Sequence, residues 1–159
     1  RKLMNNKNFF MLRAIELSLK SVDNNGGPFG CVIVKNKKII AEGNNQVTSL
    51  NDPTAHAEIV AIREACNSIN NFNLKGSEMY TSCEPCPMCL SAIYWAHIDK
   101  IYFGNTRVDA ANIGFDDNHI YKELKKQLSL RAIPMQQINK NEAIKAFEKW
   151  ELKSDKKEY

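Results

Sequence analysis

Three cysteines and one histidine crowd into two short stretches of this 159-residue chain, His56-Ala57-Glu58 and Cys83-Glu84-Pro85-Cys86-Pro87-Met88-Cys89. No other feature constrains the fold as much. Asn51-Asp52-Pro53-Thr54 supplies cap residues and a proline near a first turn, so a helix is expected from about Ala55 to Ile69. A second helix is expected to open near Cys86 and run to Trp95. Two cysteines three apart in a first turn point their sulfurs the same way, and the positive end of the helix favours both as thiolates. A histidine at the start of the other helix can supply a third ligand. A fold that uses all three must bring two helix N-termini face to face.

Three protein ligands with an open fourth position describe a catalytic zinc site, whereas four would close a structural one. His56, Cys86 and Cys89 are therefore the expected ligands of one Zn²⁺, with water or hydroxide in the fourth place. One neutral imidazole and two thiolates cancel the charge of the ion. Its water is then acidified less than at a three-histidine site, and a nearby base should help remove the proton. Glu58, two residues after His56, is the expected shuttle, taking that proton and delivering it to a ring nitrogen and a leaving amine.

Other readings stay open at this point. A lone His-x-Glu arises often by chance, and Cys86-x-x-Cys89 alone would suit a redox pair, which would leave the His56-Ala57-Glu58 helix start unexplained. Cys83 makes a four-ligand structural zinc conceivable; a catalytically silent zinc-stabilised binding module is a separate alternative, against which the intact Glu58 argues.

Around these motifs the chain reads as one domain, residues 1–159, without repeat, linker or low-complexity tract. The pattern Phe9, Leu12, Ile15, Leu17, Leu19 predicts a first helix over 9–21, ended by the turn cluster Asp23 to Pro28. Residues 30–34 and 38–42 predict a hairpin, and 78–81, 100–104 and 135–138 three further strands. Helices are expected over 108–112, 120–128 and 142–152. Strands alternating with helices predict an α/β fold, a mixed sheet with helices on both faces.

With 43% hydrophobic residues and 25% charged, composition excludes disordered, collagenous and disulfide-scaffold classes. Five cysteines, an odd number, argue against a disulfide framework, and Cys31 and Cys66 are expected as buried thiols. No apolar run approaches the roughly 18 residues that span a bilayer. Arg1-Lys2-Leu3-Met4 has no signal-peptide core, so a cytoplasmic location is expected, with Met4 as the natural start. The net charge of +4 rests partly on a tail of mixed sign and reads as a solvated surface, not a nucleic-acid patch. His97 and His119 show no partner pattern and are taken as structural or surface residues.

The two motifs together match the signature of zinc nucleobase deaminases, H-x-E with P-C-x-x-C. Asn51 to Glu58 and Glu84 to Cys89 resemble the branch of the cytidine deaminase superfamily that holds tRNA adenosine deaminases and guanine deaminases. Gly26-Gly27-Pro28-Phe29-Gly30, Gly114-Phe115-Asp116-Asp117 with Ile120-Tyr121-Lys122-Glu123, and the ending Lys156-Lys157-Glu158-Tyr159 resemble bacterial guanine deaminases. Asn105 to Ala111 departs from the tRNA-directed enzymes; guanosine deaminases share the Gly-Phe-Asp-Asp stretch and terminal tyrosine and are harder to separate.

The resemblance implies a three-layer α/β/α fold with a five-stranded mixed sheet, and hydrolysis of guanine to xanthine and ammonia. It implies that Asn45 hydrogen-bonds the purine, Phe29 stacks on it, the Ala57 N–H contacts it, and Trp95 and Asp117 line the pocket. It further implies a domain-swapped homodimer in which the segment from about 140 to 159 crosses over and Tyr159 covers the partner's site. On chemistry alone, an asparagine at a strand end is ordinarily a turn former, and Phe29 or Trp95 would ordinarily be packing. Asp117 suits guanine, because an ionised carboxylate accepts only and so rewards a donor edge.

Overall fold

The hairpin of residues 30–44 anchors the architecture. In a computed structural model describing residues 6–159, β1 (Gly30–Lys35) and β2 (Lys38–Asn44) pair antiparallel around Asn36 and Lys37. Both turn residues have positive φ, 50° and 61°, the mirror-image turn whose twist suits a tight hairpin. The register shifts at Ile33/Val34, just before the turn. The other flank of β1 pairs antiparallel with β3 (Ser77–Cys83), and β3 pairs parallel with β4 (Lys100–Asn105) across α4 (Pro87–Trp95). The sheet order is β2-β1-β3-β4.

Side chains alternate across this sheet as strand geometry requires. Cys31, Ile33, Ala41 and Met79 face α3 (Ala57–Ile69) and α4, joining Ala57, Ala61, Ala65, Leu74, Ile93 and Ala96 in one core. Val32, Val34 and Tyr80 face the other way, against Phe10 of α1 (Asn6–Asp23). The result is the expected three-layer α/β/α arrangement, with both predicted functional helices in one layer.

Two glycines set the layer spacing. A Cβ on Gly30 would fall 2.3 Å from the Ala14 carbonyl oxygen and 2.5 Å from Ser18 N; one on Gly43 would fall 2.3 Å from the Ala57 oxygen. Sheet and helices thus meet backbone to backbone. This corrects the sequence reading of α1: Phe10, Ala14 and Ser21 face the sheet, while Phe9, Leu12, Ile15 and Leu19 are exposed. Small residues were needed where α1 crosses Gly30, and an apolar count favours the wrong face.

The fold differs from expectation in strand number, four instead of five. Residues 135–138, read as a strand, follow Pro134 and carry no strand assignment, because apolar spacing without a ladder partner does not make a strand. The chain divides into two compact units at Asp117/Asn118. The first also holds α2 (Val47–Leu50) and α5 (Arg107–Asn112). The second contains α6 (Asn118–Leu124), a 3₁₀ turn at Leu128–Leu130 and α7 (Lys140–Leu152), on which Ile144, Phe147 and Trp150 are exposed. The expected start at Met4 lies outside the described residues. No helix among the described residues is long and apolar enough to cross a membrane.

Candidate active site

His56 is the N-cap of α3 and Cys86 the N-cap of α4, and neither side chain caps its own helix. N-cap side chains ordinarily fold back onto first-turn N–H groups. Here they turn toward each other instead. Cys86 Sγ lies 3.5 Å from His56 Nδ1, and Cys89 Sγ, from the first turn of α4, lies 3.5 Å from the same nitrogen. Pro87 occupies the position just inside α4, where its missing N–H costs nothing.

The approach to His56 is fixed locally. Asp52 Oδ1 accepts from Thr54 N at 2.9 Å and Thr54 Oγ1 at 2.7 Å, and Gln46 N donates to the Ala55 oxygen at 2.9 Å. These bonds, with Gly43 beneath Ala57, set where α3 begins.

One donor atom each from His56, Cys86 and Cys89 lies within 4.8 Å of the others, the arrangement of a metal centre. A tetrahedral ion with Zn–S near 2.3 Å and Zn–N near 2.05 Å requires N···S edges of about 3.6 Å. Both observed edges, 3.5 Å, match. Cys83 is not in the group: its thiol donates toward the Thr106 oxygen at 3.8 Å. The four-ligand structural reading therefore fails, and three donors remain.

The two thiols hold their protons unequally. The Cys89 thiol donates to Cys86 and, with His56, holds Cys86 down at about 4. Cys89 is raised by the Cys86 thiolate and by burial, and His56 is raised chiefly by its bond to Cys86. Glu58, in the first turn of α3, is only 7% exposed, and burial above all pushes its carboxyl upward. Its Oε2 accepts from Cys89 Sγ at 3.5 Å, so the carboxylate stands at the donor centre.

The residues expected to bind a base fall into two sets. Ala57, first residue of α3, carries one of the N–H groups that a helix start leaves free of intrahelical bonds. Phe29 packs against the core on the α3 side of the sheet and donates its N–H to the Gly27 oxygen at 2.8 Å. Asn45, 9% exposed, donates its N–H to the Phe29 oxygen at 3.2 Å and accepts at Oδ1 from Val47 N at 3.2 Å. It is thus a turn former and also adjoins Phe29. Asp117 is half-buried; burial raises its carboxyl, and the charges of Cys86, Arg107 and Glu84 act on it.

Trp95 and Tyr159 lie elsewhere in the chain. Trp95 ends α4, about 13 Å along the helix from Cys86, and is 64% exposed. Tyr159, 74% exposed, belongs to the second unit. Sequence reasoning gave no role to Phe115, whose ring meets Phe29, or to Glu84, which accepts the Arg107 N–H at 3.3 Å. Cys66 is half-buried and Cys31 fully buried.

Comparison with known proteins converges on the same centre. Residues 4–105 match the family described as the cytidine and deoxycytidylate deaminase zinc-binding region. A guanine deaminase of Bacillus subtilis is 49% identical over 155 residues, which is 97% of this chain and 99% of that protein. The crystal structure of guanine deaminase from B. subtilis superposes with a TM-score of 0.93, covering 96% of this chain and 98% of that one. A tRNA-specific adenosine deaminase of Aquifex aeolicus is 40% identical over 97 residues, 61% of this chain and 64% of its own length. The similarity to the B. subtilis protein thus extends beyond the sheet and the metal motifs, through the second unit.

Proposed function

Since this chain belongs to the zinc-binding cytidine and deoxycytidylate deaminase family, we propose that it hydrolyses guanine to xanthine and ammonia. The observation that carries this reading is the buried Glu58 carboxyl standing against a three-donor centre of two thiols and one imidazole. Full-length similarity to the B. subtilis guanine deaminase directs the choice of base.

His56, Cys86 and Cys89 hold the zinc, which when bound supplies Lewis-acid activation of the attacking water. Glu58 does the proton work. Its Oε atoms take a proton from the water that attacks C2 of guanine, then deliver protons to the ring nitrogen and the leaving amine. Burial keeps its proton affinity above that of a surface carboxylate, which suits a group that must both accept and give.

Phe29 offers a ring face on which the purine stacks, and the Ala57 N–H and the Asn45 amide nitrogen donate to its acceptors. Asp117 accepts from the N–H edge. A base lacking those donors would leave this carboxylate unpaired, which is how such a pocket discriminates.

The C-terminal segment of about 140–159 is exchanged between two copies in a homodimer, with Tyr159 closing the partner's site and Trp95 lining the pocket. The exposed Phe147 and Trp150 of α7 support this exchange, since they are apolar side chains that a second copy would cover. The two units belong to one deaminase domain completed in the dimer. Two thiolate ligands and five unpaired cysteines suit a reducing cytoplasm.

The test is a turnover assay of zinc-loaded protein on guanine, guanosine, adenine, cytidine and tRNA, following ammonia and product. Xanthine from guanine with guanosine untouched is expected. Turnover of guanosine would keep the centre and overturn the pocket; zinc binding without turnover of any would overturn the enzyme reading. Chains lacking Tyr159 should retain zinc and lose activity, and normal turnover by them would refute the lid.

A further inference from the structure

We propose that Phe115 is a positioning residue for Asp117, its ring set edge-on against Phe29 so that the carboxylate-bearing loop is held at the pocket. The two ring centroids are 5.0 Å apart with planes at 87°, the edge-to-face geometry that aromatic pairs favour. This deepens the reading of Asp117 as a substrate contact and rests on it.

Asp117 stands at the end of an arm that leaves the metal loop through β4 and α5. The near end of the arm is tied to that loop. Glu84 N donates to the Asn105 oxygen at 2.8 Å, Glu84 Oε1 accepts from Arg107 N at 3.3 Å, and the Cys83 thiol reaches the Thr106 oxygen. A reciprocal capping box of Thr106 and Asp109 then fixes the first turn of α5.

The far end turns at a glycine. Gly114 has φ +98° and open space where a side chain would stand, so nothing packs on it. After it the Phe115 N–H bonds back to the Ala110 oxygen at 2.9 Å, which orients the next residues. Phe115 lies two residues before Asp117, and its ring ties this stretch to Phe29. Its ring is 47% exposed, so it contributes little to the core and is placed for the contact with Phe29.

Phe29 is a firm support. Its backbone bonds to both Gly27 and Asn45, it packs against the core on the α3 side, and Gly27 is wedged against it. A Cβ on Gly27 would lie 3.2 Å from Asn45 Cγ and 3.3 Å from Phe29 Cδ2. Asn45, Phe29, Phe115 and Asp117 therefore form one mechanically continuous row, from the group that meets purine acceptors to the group that meets purine donors.

The experiment is a double-mutant cycle on the zinc-loaded full chain, with guanine as substrate. Phe115→Ala is expected to lower kcat/KM about 10- to 100-fold, chiefly through KM, with zinc content retained. In the Asp117→Asn background the same change should add less than about twofold. Phe115→Tyr, which keeps the ring, should restore the lost activity. Equal losses in both backgrounds, or no loss from Phe115→Ala, would overturn the proposal. An Asp117→Asn variant as active as the parent would instead overturn the substrate reading beneath it. Should Phe115→Ala prove unstable, Phe115→Leu keeps the apolar bulk, removes the edge-to-face contact and gives the same cycle.

Discussion

Cys89 Sγ and Glu58 Oε2 lie 3.5 Å apart, one from the first turn of α4 and the other from the first turn of α3. The two helices bring their positive ends to a single point, where a ligand sulfur and a buried carboxyl group stand within reach of each other. That placement separates holding the ion from moving protons, because Glu58 is beside the three donors without being one of them.

The separation predicts the phenotype of Glu58→Gln. The amide keeps the shape of the buried side chain and loses its basicity, so zinc should stay at one per chain while kcat falls by about 10²- to 10⁴-fold. Metal analysis and steady-state turnover on the same preparation check this. Full zinc with near-parental turnover would remove Glu58 from the proton path.

Zinc binding should release protons. Hydrogen bonds from Cys89 and His56 lower the Cys86 thiol to about 4, whereas its bond to Cys86 and burial raise the Cys89 thiol. Both sulfurs must be deprotonated as ligands, so uptake near neutral pH should expel about one or two protons per ion, and affinity should strengthen as pH rises. Titration calorimetry in buffers of different ionisation enthalpy measures the number. Zinc affinity that is flat between pH 6 and 8 would contradict this proton accounting.

Gly43 governs the site from a distance. A methyl group there would fall 2.3 Å from the Ala57 oxygen and 2.8 Å from Ala61 N, so α3 must move off the sheet and carry His56 and Glu58 with it. Gly43→Ala should destabilise the chain at or above the upper end of about 1–3 kcal/mol. It should also weaken zinc retention, whereas Gly114→Ala, with no atom within 4 Å, strains only its own φ of +98°. Chelator competition and denaturant melts on the two variants distinguish these effects.

The contrast also shows what the sequence could reveal. The zinc donors were legible because each is a scarce residue type at a helix start, where spacing along the chain already fixes direction. The hairpin was legible for a similar reason, since its turn is local. What stayed hidden depends on contacts distant in sequence. The inward face of α1 is set by the backbone approach at Gly30, the role of Phe115 by a ring 86 residues away at Phe29, and the absence of a strand at 135–138 by the lack of a ladder partner. Asn45 sits between these cases: its turn was readable, its proximity to Phe29 was not.

The capping box at α5 gives a pH-dependent stability of definite sign. Asp109 Oδ2 accepts from Thr106 N at 2.8 Å and from Thr106 Oγ1 at 2.9 Å, and these bonds, the backbone one first, hold its carboxyl below the usual range. A carboxylate whose folded pKa lies below its unfolded value binds protons more weakly when folded. Its stabilisation is complete above the unfolded value of about 3.9 and is lost as pH falls through the folded one. Asp109→Ala should therefore be less stable than the parent by a constant amount from pH 7 to about 5, and the gap should close below about 4. Thr106→Ala removes the other half of the box and should cost about 1 kcal/mol, with a weaker dependence on pH. Urea midpoints across this range provide the measurement, and taking differences cancels what acid does to the rest of the chain. A gap for Asp109→Ala that is the same at pH 3 and pH 7 would show that the charge contributes nothing. Because α5 begins the arm that ends at Asp117, both variants should also raise KM for guanine, by less than Phe115→Ala does, since the contact of Phe115 with Phe29 remains.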